Sequence, residues 1–127
     1  MSNIDQNNNP ENIIDRLKNT IQNGEFGIDY TISQRDKNKQ LKQDYNLTDE
    51  KIIKILKDLE PENFIKTEPS NNLRHPNDTV YIFKKNVMLM PRWIEYAEYC
   101  NVRIYIKITW PDEQNSMFII SFHEDNK

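Results

Sequence analysis

The stretch Val102–Trp110 alternates without a break. Val102, Ile104, Ile106, Ile108 and Trp110 fall on one side, and Arg103, Tyr105, Lys107 and Thr109 on the other. A period of two sustained this long is incompatible with a helix. It predicts a strand with one face in a core and one face open. Pro111–Ser116 reads as a polar turn, and Met117–His123 as the returning strand, with Phe118, Ile120 and Phe122 alternating against Ile119, Ser121 and His123. Opposite residues of an antiparallel pair share a face. Burying Phe118, Ile120 and Phe122 beside Ile104, Ile106 and Ile108 therefore requires paired residue numbers to have an even sum. A slip by one residue would put His123 among the isoleucines. The even register instead gathers Tyr105, Lys107, Ser121 and His123 on the open face.

The preceding chain supplies what such a hairpin needs to cover it. Residues 1–9 are polar, rich in Asn and without periodicity, and read as a disordered tail. A helix is expected from Pro10 to Asn23. Asn9 caps it, Pro10 sits at the first position, Ile13, Ile14, Leu17 and Ile21 form its apolar face, and Gly24 ends it. Phe26–Ser33 reads as a short strand, and Gln34–Tyr45 as a solvated loop or frayed helix, or alternatively as a basic flap. A second helix opens at Thr48, with Asp49 and Glu50 in its first turn and Leu47 and Ile52 as a hydrophobic staple. Ile52, Ile55, Leu56 and Leu59 form its buried stripe, and Pro61 stops it. Glu62–Asp78 reads as a loop pinned by Phe64, and Thr79–Asn86 as a strand. Pro91–Cys100 reads as a short helix or an extended hairpin. The expected fold is a single α+β domain spanning 10–127, with two or three helices packed on one face of a twisted antiparallel sheet.

Composition narrows the possible functions. Within 127 residues, 17 Ile and 11 Phe plus Tyr suffice for one core. No apolar run approaches a membrane span, and the start lacks the basic and apolar regions of a secretory signal. Cys100 stands alone and is read as a partly buried structural thiol. A cytoplasmic location is expected. The net charge of −3 argues against nonspecific coating of nucleic acid but leaves room for a local basic site. His75, expected in a loop, together with His123 and Cys100 shows no metal-ligand spacing, so no metal or other cofactor is expected. The two glycines form no phosphate loop. Trp93 and Tyr96 are read as packing residues.

The open face carries the side chains that metal-free RNA cleavage requires. A base must take the 2′-hydroxyl proton, an acid must protonate the leaving 5′-oxygen, and cations must steady the phosphorane. His123 suits proton transfer, Arg103 and Lys107 suit the phosphate, and Tyr105 can orient an oxygen or stack on a base. The competing reading is that a solvated sheet face ordinarily carries Tyr, Lys and Thr, and that His123 is merely exposed.

The order VRIYIKIT, polar turn, FIISFHED resembles the C-terminal hairpin of the MqsR family of bacterial toxins, which share the RelE-like fold. Upstream, LTDEKIIKILKDLEPENFIKTEP and VYIFKKN are similar to that family's helix, Phe-x-Lys segment and aromatic strand. The similarity covers roughly residues 45–127, with weaker correspondence from Phe26. It implies the toxin of a type II toxin–antitoxin system, a ribosome-independent mRNA endoribonuclease neutralised by a cognate antitoxin protein. Lys66, Tyr105 and His123 fall on family active-site positions. Lys84 and Lys85 join Arg103 and Lys107 as expected RNA or phosphate contacts. The chain departs from the family in three respects. Ile82 stands near a position where the best-known member uses glutamine. Met88–Asn101 is longer than the usual hairpin. The overall charge is acidic. These departures leave open an altered substrate, dependence on the ribosome, or a non-catalytic protein that binds a host protein or nucleic acid.

Overall fold

A computed structural model of the chain describes residues 9–24, 26–27, 36–70, 77–92, 98–110 and 117–125. Helix α1 spans Pro10–Gln22, β1 Phe26–Gly27, α2 Asp36–Tyr45 and α3 Asp49–Lys57. A 3-10 turn, Pro61–Asn63, leads into β2, Phe64–Pro69, followed by β3, Thr79–Leu89, β4, Cys100–Thr109, and β5, Met117–Glu124. The fold is α+β. The tail 1–8, most of the strand expected after Phe26, His75, Trp93 and Tyr96 lie outside the described residues.

The helix ends follow from local chemistry. Asn9 Oδ1 accepts from the Glu11 N–H at 2.8 Å, and Thr48 Oγ1 accepts from the Lys51 N–H at 3.3 Å. Each bond satisfies a donor that the first helical turn leaves free. Gly24, at φ +71°, closes α1 in the left-handed region where a Cβ is costly. Asn46, at φ +52°, does the same for α2, and the Leu47 N–H reaches back to the Lys42 carbonyl at 3.1 Å.

The five strands lie in the order β1-β5-β4-β3-β2. Strands β2 to β5 pair antiparallel, as expected, and the two-residue β1 adds a parallel pairing with β5 at the sheet's edge. Pairing sets Phe83 beside Ile106 and Ile106 beside Phe122, and Tyr81 beside Ile108 and Ile108 beside Ile119. Those residues join Leu17 of α1, Leu41 of α2 and Leu56 of α3 in one hydrophobic cluster. Burying each such side chain contributes roughly 2 kcal/mol. Trp110 ties α1 to the sheet. Its Nε1–H donates to Thr20 Oγ1 at 3.1 Å, its ring meets Tyr81 edge-on at 5.3 Å, and the Arg16 guanidinium lies 4.1 Å from its centroid.

Of the readings open for Gln34–Tyr45 the helix holds, from Asp36, where Leu41 and Tyr45 anchor an otherwise polar segment to the core. Two expectations are corrected. Part of the expected loop Glu62–Asp78 is the edge strand β2, whose Pro69 is tolerated because an edge strand leaves one side unpaired. Phe118 and Ile120 do not join the core. The β4–β5 register shifts between Lys107 and Ile108, so Met117 and Ile119 turn inward while Phe118 stays exposed. No helix among the described residues is long and apolar enough to cross a membrane.

Candidate functional site

The face opposite the hydrophobic cluster is built by strand parity. Ladder pairing places Lys84 beside Tyr105 and Tyr105 beside His123, while Ile82 lies between Lys66 and Lys107, and Lys107 beside Ser121. On this part of the hairpin the paired numbers have the expected even sum. Residues two apart on a strand share its face, so Arg103 lies on the same side as Tyr105.

The Tyr105 and His123 rings are stacked, with centroids 5.1 Å apart and planes 17° from parallel. Cross-strand pairing fixes this contact rather than chance rotamers. His123 Nδ1 lies 2.9 Å from the Glu124 carbonyl oxygen. A carbonyl only accepts, so Nδ1 carries the hydrogen and the neutral ring keeps its lone pair on Nε2. A histidine held in this tautomer presents a proton acceptor at its far nitrogen. The Lys107 ammonium stands 5.9 Å from the Tyr105 ring centroid, at the outer limit of a cation–π contact.

Burial pushes the Tyr105 phenol above its usual range. The Glu68 carboxylate adds to that rise, Lys66 opposes it, and Asp125 adds a smaller increment. The phenol therefore stays protonated at neutral pH and can donate a hydrogen bond. Glu68 is held below the usual carboxylate range, first by the hydrogen bond from Lys66 and then by the charges of Lys66 and Lys107, against the opposing effect of burial. Lys66 Nζ stands 3.0 Å from Glu68 Oε1.

Two carboxylates belong to this cluster that sequence reasoning did not single out, Glu68 and Asp125. Asp125 Oδ2 lies 3.1 Å from Lys84 Nζ and 3.3 Å from Arg103 Nε, with its side chain only 10% exposed. That oxygen has no well-directed hydrogen bond, so it is held by charge rather than by geometry. The Asp125 N–H donates to the Arg103 carbonyl at 2.8 Å and binds the residue after β5 to β4. Both residues were legible in principle. Asp125 follows His123 by two, and Glu68 follows Lys66 by two, so strand parity puts each pair on a common face once the strands are recognised.

Lys85 is not part of the cluster. It pairs with Ile104, on the other face, and its ammonium donates to the Asp58 carbonyl at 3.2 Å. There it satisfies a free acceptor at the end of α3 and complements the negative end of the helix dipole. Adjacent lysines on a strand cannot share a face, which separates Lys85 from Lys84. The cluster thus sets four cations, Lys66, Lys84, Arg103 and Lys107, against Glu68 and Asp125. It is locally positive on a chain of net charge −3. Among the described residues no group of three or more His, Cys, Asp or Glu could hold a metal ion. Cys100 is partly buried and packs against the core.

No family model, no curated protein and no solved structure matches this chain.

Proposed function

We propose that the protein is a metal-independent endoribonuclease acting on mRNA, the toxin of a type II toxin–antitoxin pair in the cytoplasm. The observation that carries this reading is the Tyr105–His123 stack on a sheet face that also carries Lys66, Lys84, Arg103 and Lys107. The resemblance of YIK and SFHED to MqsR and RelE-like toxins supports the same reading. His123 Nε2 takes the proton from a ribose 2′-hydroxyl. The 2′-oxygen then bonds to phosphorus, the P–O5′ bond breaks, and the leaving oxygen takes a proton from solvent. The products are a 2′,3′-cyclic phosphate and a free 5′-hydroxyl. Tyr105, kept protonated, donates to a non-bridging oxygen, while Lys66 and Lys107 offset the charge that grows on the phosphorane. Lys84 and Arg103 bind neighbouring phosphates, and a cognate antitoxin restrains the activity.

The test is incubation of purified protein with single-stranded RNA in the presence of chelator. Wild type is expected to cleave and to leave cyclic phosphate ends. The His123→Ala and Tyr105→Ala variants, each still folded, are expected to lose at least a hundredfold in rate. Cleavage that persists unchanged in both variants refutes the mechanism. The second reading is a non-catalytic protein of the same fold that engages a host protein or nucleic acid. The engagement of Lys66 by Glu68, and of Lys84 and Arg103 by Asp125, favours it, because these carboxylates occupy cations that a nuclease needs. Site-dependent cleavage by wild type excludes it.

A further inference from the structure

The irregularity between β4 and β5 has a second effect on the face that carries Tyr105 and His123. It turns Met117 and Ile119 into the core and leaves Phe118 on the opposite side, across from Thr109. Tyr105, Lys107 and Thr109 alternate along β4, so Phe118 shares their face. Bulges re-aim side chains in this way beside functional sites. The chain covers two other apolar side chains of this face, with Val80 5% and Ile82 1% exposed, but leaves Phe118 39% open. Toward the sheet edge Phe118 pairs with Gly27, which has no side chain to lay over the ring.

An exposed phenylalanine alone needs no explanation. The surroundings of this one give it a use. Thr109 lies four residues along β4 from Tyr105, roughly 13 Å at the rise of a strand. That span takes about two nucleotides of an extended single strand. Lys107 lies midway on the same face, and among the described residues no carboxylate stands within ion-pair distance of it. A strand whose scissile phosphate sits at Tyr105 and His123 therefore meets an ammonium and then a ring. Every base has a face that can stack on an aromatic side chain, and unpaired strands are held by such rings with cations beside them. Bases paired inside a duplex present no free face to the sheet. We propose that Phe118 is a stacking platform for an unpaired base about two nucleotides from the cleaved bond, which makes the substrate single-stranded across this face. This role rests on the reading of the face as an RNA site, but not on cleavage itself.

The experiment is fluorescence anisotropy with labelled RNAs of roughly ten nucleotides, methylated at every 2′-hydroxyl. One is a single strand, one is the same backbone with its bases removed, and one is a duplex. Phe118→Leu keeps apolar bulk on the sheet and removes the ring, and Phe118→Tyr keeps the ring. Unchanged thermal transitions verify that both fold. Phe118→Leu is expected to bind the single strand at least ~5-fold more weakly than wild type, and Phe118→Tyr to stay within ~2-fold of it. The abasic strand and the duplex should bind all three proteins alike. Equal binding of the single strand by wild type and Phe118→Leu overturns the proposal and leaves the endonuclease standing. An equal loss for the abasic strand or the duplex shows a structural role and overturns it as well. A dimer seen by light scattering in wild type and lost in Phe118→Leu gives the ring to a second copy, with the same consequence. A wild type that binds no RNA overturns both the stacking role and the nuclease. One that binds with the expected dependence on Phe118 but cleaves nothing overturns the nuclease alone.

Discussion

Asp125→Asn separates two roles that Lys84 and Arg103 can have. In the folded chain the carboxylate stands 3.1 and 3.3 Å from those cations, and its own side chain is nearly covered. The cations are not covered, with 26% and 48% of their side-chain surface open. Water therefore screens both pairs, and each is worth at most about 1 kcal/mol. Asn keeps the shape of the side chain. Oδ2 makes no directed hydrogen bond that the exchange would break. The expected loss of stability is about 1–2 kcal/mol, read from urea unfolding. Binding should move the other way. Removing one negative charge about 7 Å from a bound phosphate, at an effective dielectric constant near 40, is worth about 1 kcal/mol, or roughly five- to tenfold in affinity. Fluorescence anisotropy with a labelled single-stranded RNA whose 2′-hydroxyls are methylated measures this without cleavage. The freed cations should also steepen the plot of log affinity against log salt by about 0.7 for each additional phosphate they meet. A folded Asp125→Asn protein that binds RNA no more tightly, with an unchanged salt slope, refutes the reasoning. Lys84 and Arg103 would then serve only to fasten Asp125 to β3 and β4.

Two further perturbations test the surroundings of the cluster. Glu68→Gln removes a carboxylate that raises the Tyr105 phenol and releases Lys66, which lowers it, so Tyr105 should ionise at lower pH than in wild type. Phenolate absorbance, with Tyr105→Phe as the blank, reads this, and an unshifted or upward-shifted titration contradicts it. The linked stability has a definite sign. The raised Tyr105 favours the fold fully below the ordinary tyrosine value near ~10, and that contribution fades as pH rises through the folded value. The lowered Glu68 contributes above the ordinary glutamate value and loses its contribution as pH falls through the folded one. Thr20→Val leaves the buried Trp110 N–H without an acceptor, at a cost of about 1–3 kcal/mol. Urea unfolding followed by circular dichroism should show a lower midpoint at constant slope, and an unchanged midpoint refutes the assigned role of the Thr20 hydroxyl.

Much of this fold is written in periodicity, because burial imposes it. The even register at Tyr105 and His123 follows from keeping Ile104 and Ile106 inside, and the structure has it. Helix α3 is legible for a second reason, since cap, staple and stripe all agree. Helix α2 was less so. Its segment is almost entirely polar, and a lone Leu41 gives no period to read, although Leu41 is buried to 2%. Strand β2 hid for a similar reason. Phe64, Thr67 and Glu68 are only half covered on an edge, so the sequence between Glu62 and Asp78 has little alternation to show, and Glu68 was lost with it.

The adjacent Ile119 and Ile120 mark the limit of what parity can decide. Strict alternation offers two whole sets for burial, Phe118, Ile120 and Phe122 or Met117, Ile119 and Ser121, and hydrophobicity favours the first. The chain turns neither whole set toward the hydrophobic cluster, since Ser121, though buried, lies beside Lys107 on the other face. The shift beside Lys107 and Ile108 lets it bury Phe122 from one set and Met117 and Ile119 from the other. Such a bulge adds one residue to one strand and leaves the pairing beyond it regular. Its position therefore matters more than its existence. Had it fallen on the other side of Tyr105, with Ile108 still opposite Ile119, Tyr105 would have met Phe122 in place of His123. Falling after Lys107, it leaves the pairs from Ile104 to Lys107 intact, and these alone hold the phenol, the imidazole and the nearby ammonium on one face. A single pattern of alternation thus put Tyr105, Lys107 and His123 on one face in the register observed while misplacing two core residues, because that grouping depends on only one half of the hairpin.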